Sequence, residues 1–232
     1  ILSITMTVLS KLGIPLVLST GLLTIVGSLL KAAIVKYNHY INSKSPTLLK
    51  LDIISLFHSV ILTYYGIKYH FLIDNNPTKE ILRNNEENIS TVVLFSMGYF
   101  ITDLIGSYKG DILSLPLMIH HISGILIQYK MLNNLNNYPI IFSFAITELS
   151  SIFFNVMLIL RNNKKYNLKL YNYIKYMFAT SFFATRIVYS PLLIVNNRKM
   201  LIPYGNYKWL ICAFPLLNCY WFKKIVCKAL KK

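Results

Sequence analysis

The strongest constraint on the fold is a series of apolar runs, each about as long as a membrane is thick. A hydrocarbon core of ~30 Å requires a helix of about 20 predominantly apolar residues. About seven stretches meet this requirement, and the gaps between them are short and rich in Asn, Lys and Pro. The predicted spans are 5–30, 51–73, 90–108, 112–131, 138–160, 172–196 and 206–227.

These runs predict an all-α polytopic membrane protein with about seven transmembrane helices. Helices satisfy every backbone hydrogen bond within one segment, as a lipid environment demands. The gaps are too short to contain a soluble domain. We therefore divide the chain into an N-terminal transmembrane helix with a basic loop, 1–43, and a six-helix domain, 44–230.

The charge balance indicates a membrane partner rather than nucleic acid. Only 14% of the residues are charged, yet the net charge is +16. In a soluble protein this balance would indicate nucleic-acid binding. Here the basic residues cluster in the gaps between apolar runs, which is typical of membrane topology signals and of contacts with anionic lipid headgroups. No nucleic-acid partner is predicted.

Lys and Arg also predict the orientation, because cytosolic loops carry an excess of them. Most lie on one side of the predicted spans. That side holds Lys31, Lys36, Lys44, Lys50, Lys109, Arg161, Lys164, Lys165, Lys169, Lys223, Lys224, Lys228, Lys231 and Lys232. The prediction is a lumenal N-terminus and a cytosolic C-terminus.

A small set of ionisable side chains falls well inside the apolar runs. Such groups are costly in hydrocarbon and usually face one another or a polar cavity. The set comprises His58, Asp103, His120, His121, Glu148 and Arg186. The adjacent histidines stand in the middle of the apolar stretch 114–128, and two titratable imidazoles at that depth mark a candidate functional site.

Helical spacing places further polar or small residues beside this set. Tyr99 lies one turn from Asp103, Gly124 lies one turn beyond the histidine pair, and two polar residues share the face of Glu148. The predicted binding residues are His58, Tyr99, Gly124, Ser151, Asn155 and Arg186.

Structural roles are alternatives for several of these residues. Glu148 and Arg186 can form an ion pair that fixes helix register. Asp103 can pair with Lys109, or accept hydrogen bonds from Tyr99 or a serine. Gly124 can serve close helix packing.

Two chemistries suit such a set of residues. One is general acid–base or nucleophilic catalysis by an imidazole beside a carboxylate. The other is metal binding by histidines and carboxylates. Adjacent residues on a helix diverge by about 100°, so His120 and His121 are poorly placed to share one metal. We predict acid–base work, no metal and no covalently bound cofactor.

In six segments the chain resembles the TLC domain family, which comprises TRAM, LAG and CLN proteins. The resemblance covers about residues 44–230, and the segments follow the family's order. They are DIISLFHSVILTYYG (52–66), SMGYFITD (96–103), MIHHISG (118–124), ELSSIFFN (148–155), FFATRIVYSP (182–191) and LNCYWFKKIV (217–226).

The resemblance implies a barrel of six helices in an endoplasmic reticulum membrane, with a long-chain lipid or acyl group inside. In the ceramide synthases of this family, the histidines that match His120 and His121 lie at the centre of acyl transfer from acyl-CoA. This chain is closer to the smaller members, because Glu148 is the only acidic residue in its segment 140–155.

Three functions remain open at this stage. The first is an acyl-CoA-dependent lipid acyltransferase, with acyl-CoA as cosubstrate and with His120, His121, Asp103 and Glu148 as catalytic residues. The second is a non-enzymatic protein that binds, senses or transports lipid and so regulates membrane lipid composition. The third is a protein-interaction role centred on the loops. The sequence leaves the oligomeric state open.

Overall fold

The computed structural model describes residues 46–74, 86–132, 144–161, 167–196 and 208–230, together with 198 and 205–206. Each secondary-structure element in these ranges is a helix. The predicted first span, 5–30, and the N-terminal region 1–43 lie outside the described residues, and so does the start of the predicted span 138–160.

The described helices fall close to the other predicted spans. In chain order they are α1 (Pro46–Asp74), α2 (Glu86–Lys109), α3 (Leu115–Leu132), a 3₁₀ turn (Ile146–Glu148) that leads into α4 (Leu149–Arg161), α5 (Leu168–Phe182), a π-helical segment (Phe183–Tyr189), α6 (Ser190–Asn196) and α7 (Lys208–Leu230). The helix from α5 through the π segment to α6 is continuous over Leu168–Asn196.

Three helices in the described part of the chain are long and apolar enough to cross a membrane. They are Ile89–Lys109, Leu168–Asn196 and Lys208–Leu230. The chain is therefore a helical protein, and these helices have the length and composition of membrane-spanning helices. The full count of seven spans remains a prediction.

Contacts between the helices run in a cycle. Helix α1 packs between α2 and α4, and α2 also packs on α3. Helix α3 contacts α7, which contacts the π segment and α6, while α5 packs on α4. The cycle of helices therefore encloses one interior, towards which the polar faces predicted from helical spacing can all point. That this cycle forms a TLC-type barrel within a membrane remains a prediction.

A tight turn joins α2 to α3 and sets the start of α3. The amide of Gly110 donates to the carbonyl of Gly106 (2.9 Å), and the amide of Ile112 donates to that of Ser107 (3.0 Å). Asp111 has a φ of 53°, a left-handed conformation that Asp tolerates better than most residues. Apolar Ile112 thus belongs to the turn, and α3 begins three residues later than the predicted span 112–131.

The π segment carries Arg186. The amide of Ser190 donates to the carbonyl of Thr185, five residues back, as in a π-helix. Pro191 follows at once and has no amide proton, so regular α-helical bonding cannot continue through it. The altered winding leaves Arg186 buried on the face that turns towards α4, as its contacts with the start of α4 show.

Two clusters of the apolar core lie towards the same end of the helices. One cluster joins α1, α2, α3 and the approach to α4, and its members are Leu62, Ile89, Val92, Val93, Met97, Met131 and Ala145. A second cluster joins α3, α6 and α7 through Ile127, Leu193 and Ile211. Several residues of both clusters also line a cavity among the helices.

Candidate functional site

A cavity of about 110 Å³ lies among the helices of the cycle. Its walls are mostly apolar, and its polar lining residues are Ser96, His120, Gln128, Thr147, Glu148, Arg186, Ser190 and Asn218. Four of the predicted site residues line it: His120, Gly124, Glu148 and Arg186. The other predicted residues lie behind this wall.

His120 is held in place by aromatic side chains. Its ring centroid lies 5.8 Å from that of Phe100, 5.3 Å from Phe214 and 5.4 Å from Trp221, with ring planes at steep angles. Its Nδ1 atom is buried and has no hydrogen-bond partner among the described residues. Packing therefore orients this imidazole, and its polar atom is free to serve an occupant of the cavity.

His121 turns away from the cavity and pairs with Asp103. Its Nε2 lies 2.5 Å from Asp103 Oδ2. The side chains are 3% and 12% exposed, so little water competes for this contact. The two adjacent histidines thus differ in environment, because one lies against aromatic rings and the cavity while the other is bound to a carboxylate of α2.

Glu148 and Arg186 form a second buried pair. Arg186 Nη2 donates to Glu148 Oε1 (3.3 Å) and to Ser151 Oγ (2.8 Å), while Nε donates to Ser150 Oγ (2.8 Å). The pair joins the 3₁₀ turn before α4 to the π segment. The contact is the ion pair given above as a structural role for Glu148 and Arg186. Both side chains also form part of the cavity wall.

His58 lies one layer behind the cavity. Its ring stacks on Tyr99, with centroids 3.7 Å apart, and its Nε2 lies 3.0 Å from Ser96 Oγ. The Gln128 amide donates to the same oxygen (2.9 Å), which leaves the Ser96 hydroxyl proton available for His58. Ser96 and Gln128 line the cavity, so they link His58 to it.

Two predicted binding residues are engaged by other protein groups. The Tyr99 hydroxyl donates to Ser55 Oγ (3.0 Å), and Asn155 Nδ2 donates to the same oxygen (2.9 Å). Neither residue lines the cavity, and Ser151 contacts Arg186 from behind the wall. The Ser55 hydroxyl therefore ties α1, α2 and α4 together. Within the described ranges, no group of three His, Cys, Asp or Glu side chains is arranged to hold a metal ion.

Comparison with known protein families matches the TLC domain to residues 50–227. The chain belongs to the TLC domain family. The six segments that resemble the family, and the cavity, fall within the matched region. Comparisons with curated proteins and with solved structures gave no match. A TLC domain built from apolar helices indicates a membrane protein with a lipid-related role.

The predicted site residues do not include five polar residues of this TLC domain that line the cavity, namely Ser96, Gln128, Thr147, Ser190 and Asn218. Ser190 stands four residues after Arg186, on the same helical face. Asn218 stands between Phe214 and Trp221, the two α7 residues that contact His120. Same-face spacing from Arg186 is the signal that could have found Ser190, whereas α7 carries no predicted site residue from which Asn218 could have been found.

Gly124 allows α2 and α3 of the TLC domain to approach closely. A Cβ atom there would lie 2.8 Å from Cε2 of Phe100, and this ring also packs against both histidines. We expect Gly124→Ala to lower the free energy of unfolding by about 1–3 kcal/mol, because overpacking forces a stiff ring to move. Thermal unfolding of the purified protein in detergent measures this loss. A Gly124→Ala protein as stable as the native chain would contradict the packing described.

Proposed function

We propose that this TLC domain protein binds one long-chain lipid whose polar end lies in the cavity, at His120. The observation that carries the proposal is the cavity itself. It combines largely apolar walls with a polar region formed by His120, Glu148 and Arg186. Such a two-part lining is complementary to an amphiphile.

The mostly apolar part of the wall lies on one side of His120. From His120 to Met131, both on the cavity face of α3, the helix rises about 16 Å at 1.5 Å per residue. The residues along this length are mostly apolar and include Leu62, Val92, Val93, Ile127 and Ala145, while Ser96 and Gln128 are polar. The part of an acyl chain that lies along the apolar residues removes its surface from water or from competing lipid.

The proposal also includes an arrangement of the helices in the membrane. We place the six-helix domain 44–230 as a barrel in an endoplasmic reticulum membrane, after an N-terminal helix in 1–43, with a lumenal N-terminus and a cytosolic C-terminus. The positive charge of the gaps on one side supports this orientation. In this orientation the chain-binding part of the cavity points towards the lumenal ends of the helices.

The Asp103–His121 pair favours a second function, acyl transfer from acyl-CoA. An imidazole nitrogen of His120 would attack the thioester carbonyl and the carbon–sulfur bond would break. The thiolate would take the proton of the other ring nitrogen, so coenzyme A would leave as a thiol. An acceptor hydroxyl or amine would then take the acyl group from the imidazole and return its proton to the ring. His121 is a positioning residue in this proposal, since its ring lies 5.4 Å from that of His120 but outside the cavity.

Lipid binding is tested by mass spectrometry of lipid that co-purifies with the protein in mild detergent. We expect about one lipid per chain in the native protein and a loss of roughly tenfold or more in His120→Leu, because a headgroup contact is removed. His70→Leu is the matched control, since His70 contacts Tyr189 rather than the cavity. Equal lipid content in the native protein and in His120→Leu would contradict the proposal.

Acyl transfer is tested by incubation of the purified protein with acyl-CoA and candidate acceptors. Turnover that disappears in His120→Ala, with a fatty-acyl adduct on a histidine of the native protein, supports the enzyme. Stoichiometric bound lipid without turnover supports the binding protein. Turnover that is unchanged in His120→Ala eliminates the catalytic role given to this histidine.

A further inference from the structure

The cavity wall contains polar atoms that the protein itself leaves without partners. Within the described part of the chain, four lining residues each have one buried atom with no hydrogen-bond partner: His120 Nδ1, Gln128 Oε1, Ser190 Oγ and Asn218 Oδ1. Ser190 is 1% exposed, Asn218 3% and Gln128 9%. An unsatisfied buried polar atom costs about 1–3 kcal/mol, so four around one cavity indicate an occupant that supplies partners.

These atoms require an occupant that donates hydrogen bonds. The Gln128 amide nitrogen already donates to Ser96 (2.9 Å), so its free atom is the carbonyl oxygen, an acceptor. The free atom of Asn218 is likewise its carbonyl oxygen. A Ser190 hydroxyl and a histidine nitrogen can each accept as well. The occupant therefore needs N–H or O–H groups at its polar end.

The charges of the wall restrict this polar end further. Among the described residues that line the cavity, Glu148 and Arg186 are the charged pair, and they neutralise each other (3.3 Å). Asp103 is bound to His121 behind the wall. An ammonium or phosphate headgroup would therefore enter without a counter-charge, and burying an unpaired charge costs more than burying a neutral donor.

We propose that the cavity selects a lipid with an uncharged, hydroxylated headgroup, of the glycerol type, over charged lipids of the same chain. The two free hydroxyl groups donate to the carbonyl oxygens of Gln128 and Asn218, and the Ser190 hydroxyl donates to an oxygen of the same headgroup. This proposal rests on the proposed lipid-binding function and names the class of lipid that the site takes. It also defines the roles of Ser190 and Asn218 as headgroup ligands.

The test compares four lipids that carry the same monounsaturated hydrocarbon chain and differ at the polar end. Labelled monooleoylglycerol is bound to the full chain in detergent and competed with unlabelled monooleoylglycerol, methyl oleate, oleylamine and oleoyl lysophosphatidic acid. We expect monooleoylglycerol to bind at least about tenfold more tightly than each of the others, the ratio that one or two good hydrogen bonds provide.

Substitutions test whether the hydrogen-bond acceptors of the cavity cause the preference for monooleoylglycerol. Asn218→Leu and Ser190→Ala should each reduce the advantage of monooleoylglycerol over methyl oleate by roughly fivefold to tenfold, with methyl oleate binding little changed. Thr63→Val is the matched control. Thr63 Oγ1 is also buried without a partner, but Thr63 does not line the cavity, so both affinities should stay the same.

The outcomes separate this inference from the proposed function. Equal affinity for all four lipids, or tighter binding of a charged lipid, overturns the headgroup inference and leaves lipid binding intact. The same holds if Thr63→Val lowers the preference as much as Asn218→Leu does. If none of the four lipids binds, the lipid-binding function fails, and the headgroup inference fails with it.

Discussion

Replacing Arg186 with Met is expected to lower the free energy of unfolding by about 3–5 kcal/mol, the usual cost of removing one partner of a buried ion pair. The Arg186 and Glu148 side chains are 8% and 14% exposed. Without the guanidinium, the Glu148 carboxylate would remain in the cavity wall with no counter-charge. Ser150 and Ser151 would also lose the hydrogen bonds that they accept.

The experiment measures unfolding of the purified protein in mixed micelles with increasing denaturing detergent. Lys169→Met is the control, since Lys169 is an exposed cation on the same continuous helix. The double variant Arg186→Met with Glu148→Leu should recover much of the loss, because neither charge is then left alone. A double variant that is destabilised by the full sum of both single losses would show that the pair is not coupled.

The second large effect is expected at the other buried pair. His121→Leu should lower the free energy of unfolding by about 3 kcal/mol, because it leaves the Asp103 carboxylate buried without its partner. His121 Nε2 and Asp103 Oδ2 lie 2.5 Å apart, and this hydrogen bond links α3 to α2. The same micelle unfolding experiment measures the loss.

The neighbouring histidine supplies the contrast for this prediction. His120→Leu should change the stability by less than about 1 kcal/mol, because Nδ1 of His120 has no partner to lose. Its effect should appear instead in bound lipid. If His120→Leu destabilises the protein as much as His121→Leu does, the separate environments described for the two rings are wrong.

Part of the candidate site could be predicted because charged groups in apolar runs have few possible partners. An ion pair between Glu148 and Arg186 was one structural alternative, and the two side chains meet between the 3₁₀ turn before α4 and the π segment. Asp103 was harder to assign. Lys109, Tyr99 and a serine competed with a histidine, and only the packing of α2 on α3 selected His121.

Other residues could not be assigned from spacing alone. Tyr99 and Asn155 share polar faces with site residues, yet both donate to Ser55 and stay outside the cavity. A polar face shows that a side chain points inward. It does not show whether another protein group or a ligand will satisfy that side chain.

The sequence by itself determined the helical membrane class, the approximate helix bounds and the family, because these depend on local hydropathy and on motifs in order. The tertiary structure decided which groups line the cavity. Asn155 and Ser55 are far apart in the chain, and their contact exists only because α4 packs on α1. The division between His120 and His121 has the same origin: the helix turns adjacent residues apart, and the neighbouring α2 and α7 decide what each imidazole meets.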